Sequence, residues 1–381
     1  MKKILISLLF LFPIIVYADE DLAPNAKSAI MIEASTGEIL FQKNKDEKLP
    51  PASMTKMMSM LLIIEEIEKG NLKWDEVITA SSNAASMGGS QIFLEAGEKM
   101  TVEELLKGIS IASGNDATVA MAERISGSEE SFVKKMNDKV KELGLKNTHF
   151  SNATGLTIDN HYSSAYDMAM IAKELIKHEK ILEFTGTYEE YLRKNTESPF
   201  WLVNTNRLVR FYDGVDGLKT GFTKEAGYCL TSTAKREGMR LITVVMNEET
   251  SEKRSADTSR MLDYGFNTYM VENIIDDNSE IGKKEVELGK VKEVKIVPKD
   301  NITILSKKSD KKRNISYETE VDNIVAPVKK GDVVGKINII ENNKVISTVD
   351  ATVLEDIDKA NIFIVLLRNM KEMLSGNIDI S

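Results

Sequence analysis

A near-continuous apolar run follows the stretch Pro50-Pro51-Ala52-Ser53-Met54-Thr55-Lys56 and extends through Met57-Met58-Ser59-Met60-Leu61-Leu62-Ile63-Ile64. A proline pair is excluded from a helix interior but suits the residues just before one, and Gly70 is a natural C-terminal stop. A buried helix is therefore expected over about residues 52–70. Ser53 falls in its first turn. Residues three apart share a helix face, which sets the Lys56 amine over the Ser53 hydroxyl at the positive end of the helix dipole.

The pattern elsewhere divides the chain into blocks. Residues 28–43 alternate about a turn at Ala34-Ser35-Thr36-Gly37 and predict a hairpin. Residues 74–100 are mixed and read as short strands and loops. A capping box at Thr101-Val102-Glu103-Glu104 opens a helix to about residue 112, and helical spacing resumes over 116–125, 129–143 and 164–178. The Met-rich stripes of this block read as core, since methionine packs irregular apolar gaps. From residue 200 the period changes to that of strands, at 201–203, 214–219, 228–234 and 240–246, with a hairpin loop at Lys235-Arg236-Glu237-Gly238. A helix over about 252–271 closes this part. Strands at both ends with helices between them mean that the chain returns late to complete one sheet, with the helical block as an insertion.

Beyond residue 273, short alternating segments at 285–288, 294–297, 303–305, 334–337 and 345–348 predict a small all-β domain with no catalytic-looking cluster. The expected division is a leader over 1–18, a catalytic domain over 24–272, a β-rich domain over 273–355 and a tail over 356–381.

The two ends carry targeting signals. Met1-Lys2-Lys3 precedes an almost wholly apolar stretch over residues 4–16, with Val16 and Ala18 where a signal peptidase reads small residues, so cleavage after Ala18 is expected, an uncleaved anchor being the alternative. Near the C-terminus Ile362-Phe363-Ile364-Val365-Leu366-Leu367 and Met370, Met373 and Leu374 alternate with Arg368, Lys371 and Glu372. That segment is too short to span a bilayer and fits a helix lying in the membrane surface; packing on the β domain is the alternative. Both features place the mature chain outside the cytoplasm, in the periplasm or on the outer face of the cytoplasmic membrane.

Without the leader, 48 basic residues stand against 59 acidic ones, a formal charge of −11, which argues against a nucleic-acid partner. A single cysteine, Cys229, in a strand-like context, reads as a buried structural thiol. His149, His161 and His178 are scattered with no helical zinc spacing, so no metal or other cofactor is implied.

Serine is unreactive at neutral pH unless a base takes its proton, and a lysine does so only with its pKa well below about 10.4. Apolar burial or a second cation lowers it. Ser-x-x-Lys alone is weak. Ser113-Gly114-Asn115, in a tight connection between two helices, and Lys219-Thr220-Gly221, ending a strand, add the other two parts of the signature of penicillin-recognising serine acyltransferases.

On these residues, with Asn152-Ala153-Thr154-Gly155-Leu156, Tyr162-Ser163-Ser164-Ala165-Tyr166-Asp167-Met168 and Val215-Asp216-Gly217-Leu218 before the Lys-Thr-Gly, the chain from about residue 24 to its end closely resembles the D-alanyl-D-alanine carboxypeptidases, the low-molecular-mass penicillin-binding proteins. The resemblance implies an α+β fold of the serine β-lactamase/transpeptidase type: an antiparallel sheet flanked by helices, with a helical subdomain and the site between them. It implies Ser53 as nucleophile, Lys56 as base and Ser113 as the group that passes a proton to the leaving amine, with Asn115 orienting the peptide amide and Lys56. Lys219 and Thr220 would receive the substrate carboxylate, with help from Arg254, which reads equally as an ordinary surface charge. Gly221 lets the substrate backbone approach, and the backbone N–H groups of Ser53 and Phe222 would hold the oxyanion. Many relatives carry histidine where Phe222 stands; a backbone donor survives that change. The implied partners are peptidoglycan stem peptides ending in D-Ala-D-Ala and β-lactam antibiotics.

Two other readings share parts of this pattern. A serine β-lactamase needs a deacylating base, and Glu189, Glu190 and Glu197 precede Lys-Thr-Gly, although none lies in the Glu-x-x-Leu-Asn context of those enzymes. A non-catalytic wall-binding or penicillin-sensing module would keep the fold without the chemistry.

Overall fold

The computed structural model describes residues 21–310 and 313–361. The predicted leader and residues 362–381 of the predicted tail lie outside the described residues.

The catalytic part is built on a five-stranded antiparallel sheet in the order Ile39–Lys43, Ser28–Glu33, Met239–Glu248, Gly227–Arg236 and Val215–Thr223. The N-terminal hairpin thus completes a sheet whose other strands come some 180 residues later in the chain. The three inner strands read as near-continuous apolar or small-residue runs because helices cover both faces. Side chains alternate between the faces. Ile30, Ile32, Ile242 and Val244 join the core under the helical block, while Met31, Leu230, Leu241 and Val245 pack on Met261, Leu262 and Phe266 of the helix Ser251–Thr268. Each such side chain, wholly buried, stabilises the fold by about 1.5–3 kcal/mol.

The helical block comprises Lys56–Glu68, Val102–Ile111, Asn115–Ser126, Glu129–Glu142 and Ala165–Leu175. The expected capping box at Thr101 and Glu104 is present. The helix Lys56–Glu68 is buried from Lys56 to Ile64, so its whole first half lies in the core rather than one face of it. It is entered through a single 3-10 turn, Ala52–Thr55, and not by α-helix from residue 52; Ala52 opens that turn at φ +47, outside the right-handed α region.

The closing helix ends at Thr268 rather than near 271. Tyr269–Ile275 is instead a strand, paired with Ile302–Lys307, so the expected junction at 272/273 falls inside it. The β-rich part has a six-stranded sheet with its own core around Ile296, Ile337, Ile339 and Val353. Its edge strand Ile315–Val321 has no apolar stripe and escaped the sequence pattern. Ile357 and Lys359 bridge to Val328 and Gly289, so the chain is still held to this sheet where the tail was expected to have begun. Five smaller elements were also not anticipated: the helices Ser82–Ala85, Lys180–Thr185 and Leu208–Phe211, and the strands Glu189–Leu192 and Ile324–Val325.

Candidate active site

Ser53 sits in the 3-10 turn and Lys56 opens the helix behind it, with Lys56 Nζ 3.0 Å from Ser53 Oγ. Lys56 also donates to the Thr154 carbonyl at 2.8 Å. Burial pushes the Lys56 amine well below its ordinary value, and the nearby Lys219 cation pushes the same way against the weaker pull of Asp116. A neutral amine keeps its donor to Thr154 and turns its lone pair to the serine proton.

The loop that carries Thr154 is clamped to this helix. Ser59 Oγ donates to the Ala153 carbonyl at 2.7 Å, and Asn152 Oδ1 accepts from the N–H groups of Thr154 and Gly155. His161 closes the clamp: its Nδ1 accepts from Ser151 N–H at 3.0 Å, which leaves the hydrogen on Nε2 to donate to Thr55 Oγ1 at 2.8 Å. Burial depresses His161 to about 4, so it stays neutral in this role. Gly155 packs so close that a Cβ there would lie 1.9 Å from the Ala52 carbonyl oxygen. Sequence reasoning passed over His161 as one of three scattered histidines; Thr55 stands 106 residues away, and no local spacing links them.

Across the cleft, Ser113 adopts φ +64 between two helices, and its buried Oγ has no hydrogen-bond partner among the described residues. The same holds for Asn115 Oδ1, while Asn115 Nδ2 donates to the Gly88 carbonyl at 2.7 Å. That bond fixes which end of the amide is left to accept. Buried polar atoms without partners are costly, and they suit a ligand that brings its own donors.

The third wall is the edge strand Val215–Thr223. Lys219 is buried, held down to about 7 by burial first and then by Arg254, and donates to the Thr220 carbonyl at 3.1 Å. Thr220 Oγ1 donates to Thr205 Oγ1 at 2.7 Å. A Cβ on Gly221 would lie 2.7 Å from the Pro51 carbonyl oxygen, so the strand meets the turn that carries Ser53 only because this residue is glycine. Phe222 stacks on Tyr228 with ring centroids 4.3 Å apart. Arg254 is not the exposed helix charge that its sequence context allowed: it is 7% exposed, lies 6.0 Å from the Tyr228 ring and has Nε without a partner among the described residues.

Ser53, Ser113, Thr220, Gly221, Phe222 and Arg254 line one cleft of about 700 Å³, with Lys56, Asn115 and Lys219 buried behind its wall. Arg207, Thr205 and Tyr228, which the motifs did not single out, line it too. None of Glu189, Glu190 and Glu197 does; the first two belong to a separate two-stranded sheet, where Glu190 pairs with Lys194. Cys229 is buried with its thiol pushed up to about 12, as a structural residue should be.

Residues 16–250 match the family model for D-alanyl-D-alanine carboxypeptidase, well over half of the chain. The chain belongs to the D-alanyl-D-alanine carboxypeptidase family. Residues 269–359 of this carboxypeptidase match the C-terminal domain of penicillin-binding protein 5. It is 53% identical to the D-alanyl-D-alanine carboxypeptidase DacF of Bacillus subtilis, over 92% of this chain and 90% of that one. Among solved structures it resembles penicillin-binding protein 5 of Haemophilus influenzae, with a TM-score of 0.71 and 31% identity over 88% of this chain and 98% of that one. It also resembles penicillin-binding protein D2 of Listeria monocytogenes in its ampicillin-bound form, with a TM-score of 0.55 and 33% identity over 64% of this chain and 98% of that one. The carboxypeptidase is thus a serine hydrolase that removes the terminal D-alanine from peptidoglycan stem pentapeptides through an acyl-enzyme, and it binds penicillin covalently.

Proposed function

We propose that Ser53 is the acylated residue and Lys56 the base that prepares it. Support comes above all from one observation, a wholly buried lysine amine, depressed in pKa, 3.0 Å from a serine hydroxyl at the floor of the cleft. Ser53 Oγ attacks the carbonyl between the last two D-alanines as its proton passes to Lys56. The backbone N–H groups of Ser53 and Phe222 meet the developing oxyanion. As the C–N bond breaks, the proton goes from Lys56 through Ser113 to the departing amine. Water then attacks the ester carbonyl, gives a proton to Lys56, and Ser53 leaves with that proton restored.

Asn115 Oδ1 accepts from the substrate amide, and Lys219, Thr220 and Arg254 receive the terminal carboxylate. Gly221 admits the substrate backbone beside the strand edge. The test is mass spectrometry of the penicillin adduct after digestion. The modified peptide is expected to contain Ser53; an adduct on any other peptide overturns the assignment.

We also propose that the mature protein works outside the cytoplasm, after cleavage behind Ala18, and rests on the membrane through its C-terminal tail. The apolar leader, the amphipathic pattern over 362–374 and a wall peptide as substrate support this reading. Because Ile357 is buried in the β-domain core, truncation should begin after residue 361. Lacking 362–381, the protein is expected to move from the membrane to the soluble fraction with its activity on soluble peptides kept. Retention in the membrane fraction would refute the anchor.

A further inference from the structure

The helix that carries Arg254 is held differently at its two ends. Its second half is packed through Met261, Leu262 and Phe266, whereas residues 251–258 bury no apolar side chain and turn Arg254, Asp257 and Thr258 to the interior instead. Asp257 is the hub of that polar contact. It lies wholly buried one turn beyond Arg254 and accepts from the Asn25 N–H at 2.9 Å, from Asn25 Nδ2 at 3.0 Å and from Arg260 at 2.7 Å.

Glu248, the last residue of the strand Met239–Glu248, comes within hydrogen-bond reach of Asp257. It is 1% exposed, and neither of its carboxyl oxygens finds a donor among the described residues. The cations around the pair are engaged elsewhere: Lys43 donates to Asp21 and to the Ala23 and Pro24 carbonyls, Lys253 to Glu249 and Arg260 to Asp257. The other titratable neighbours are Cys229, whose thiol is pushed up and stays neutral, and Tyr228, opposite Glu248 in the ladder. Two ionised carboxylates can only accept, so a bond between this pair needs one proton, and since Asp257 has three donors and Glu248 none, the proton belongs to Glu248. Burial first, then the charge and hydrogen bond of Asp257, push Glu248 up to about 8 against weaker pulls from Lys43 and Lys253.

We propose that Glu248 is a positioning residue for the reaction: it holds a proton that it shares with Asp257, and this bond pins the start of the helix Ser251–Thr268 to the sheet so that Arg254 is kept in the cleft. Arg254 and Asp257 stand three residues apart on the one buried face of the helix, so what holds the second places the first. Loss of the proton sets two like charges side by side in the interior. The strain is relieved at the helix start, where no apolar packing resists it, and the substrate carboxylate then meets Arg254 in a poorer geometry. The proton stays within the pair throughout turnover. The inference rests on the carboxylate-binding role given to Arg254 above.

The test follows D-alanine release from N-acetylated L-Lys-D-Ala-D-Ala by the full chain and by its Glu248→Ala and Glu248→Gln variants. Glu248→Ala removes the bond and is expected to raise KM about tenfold at pH 7 with kcat within about threefold, whereas Glu248→Gln, whose amide still donates to Asp257, is expected to hold KM within about twofold. From pH 7 to 9 the wild-type KM is expected to rise about fivefold more than that of Glu248→Gln, the titration of Lys219 being common to both. Melting gives an independent reading. Between about 4.5, where the unfolded carboxyl ionises, and about 8, where the folded one does, wild type loses roughly tenfold in its folded-to-unfolded ratio per pH unit and the glutamine variant does not. Relative to wild type, the Tm of Glu248→Gln is therefore expected to climb between pH 5 and 8 by about 5–10 °C, the equivalent of about a hundredfold. A Tm gap that ignores pH overturns the shared proton. A Glu248→Ala KM within twofold of wild type, or one that glutamine does not restore, overturns the positioning role. Arg254→Ala is measured alongside: a KM unmoved by that change would refute the carboxylate reading, while the Tm gap still decides the pair.

Discussion

Lys56→Met is expected to slow both D-alanine release and penicillin acylation about a thousandfold while leaving the fold in place, a magnitude in the range of a lost general base. Methionine matches the lysine stem in length, and Lys56 is wholly buried at the start of a helix whose first half lies in the core, so the substitution removes a buried polar head and leaves no large cavity. Its cost in structure is the bond to the Thr154 carbonyl. Acylation is to be followed with a fluorescent penicillin and folding by thermal melting. A variant that acylates within tenfold of wild type would show that some other group takes the proton.

The same geometry sets the pH profile. In the proposed mechanism protonated Lys56 cannot act as base, so kcat/KM is expected to rise as pH climbs through its lowered pKa. In the carboxylate-binding role proposed for it Lys219 acts only while charged, so with a pKa of about 7 kcat/KM is expected to fall above that pH. Lys219→Arg keeps the charge to much higher pH, so the alkaline limb is expected to move up by more than a unit. An alkaline limb unmoved by that change would assign it to another group. Lys219 thereby has two linked effects: its cation depresses Lys56 in the free enzyme, and a bound carboxylate offsets that field, leaving Lys56 a stronger base once substrate is present.

The motifs at 53–56, 113–115 and 219–222 could be read from the sequence because each acts over one turn of chain, where spacing fixes geometry. Their meeting in space depends on the sheet. The strand Val215–Thr223 reaches the nucleophile turn through strands that start at residue 28 and close after 239, and only the late return of the chain hinted at that. Arg254 stayed open between a surface charge and a ligand-binding group, since a helical period does not say which side of the sheet a first turn faces. Its burial follows from Thr250 capping the helix directly after the strand Met239–Glu248.

His161 was illegible for a different reason: its partners Thr55 and Ser151 lie on separate segments, and a lone histidine has no period. In the β domain, strands that bury one face were legible. Ile315–Val321 was not, because almost every residue of it is exposed on this edge of the sheet. The helix expected to reach 271 was overrun by tertiary pairing, as Tyr269, Met270 and Val271 continue the apolar pattern but find a ladder at 305–307.

Gly155→Ala is expected to cost more than about 3 kcal/mol, at the high end for a single methyl, and to lower acylation by about a hundredfold or more. Its φ of +88 is one contribution, worth roughly 1–2 kcal/mol for a residue with a Cβ. The larger one is the added carbon 1.9 Å from the Ala52 carbonyl oxygen and 2.9 Å from the Ser53 nitrogen, both backbone atoms that no rotamer change can move aside. Relief by the loop would break its bonds from Ser59 and Lys56, and relief by the turn would displace Ser53, where Ala52 is already held at φ +47. Gly238→Ala separates the two effects. Gly238 has a similar φ of +82 with nothing within 4 Å, so only the backbone cost applies there. At about 2–4 °C per kcal/mol, melting is expected to fall by roughly 6–12 °C for Gly155→Ala and by no more than about half of that for Gly238→Ala, which should keep its activity. Equal losses in the two variants would mean that the loop yields to the added methyl, and that the close approach to the nucleophile turn does not constrain the site.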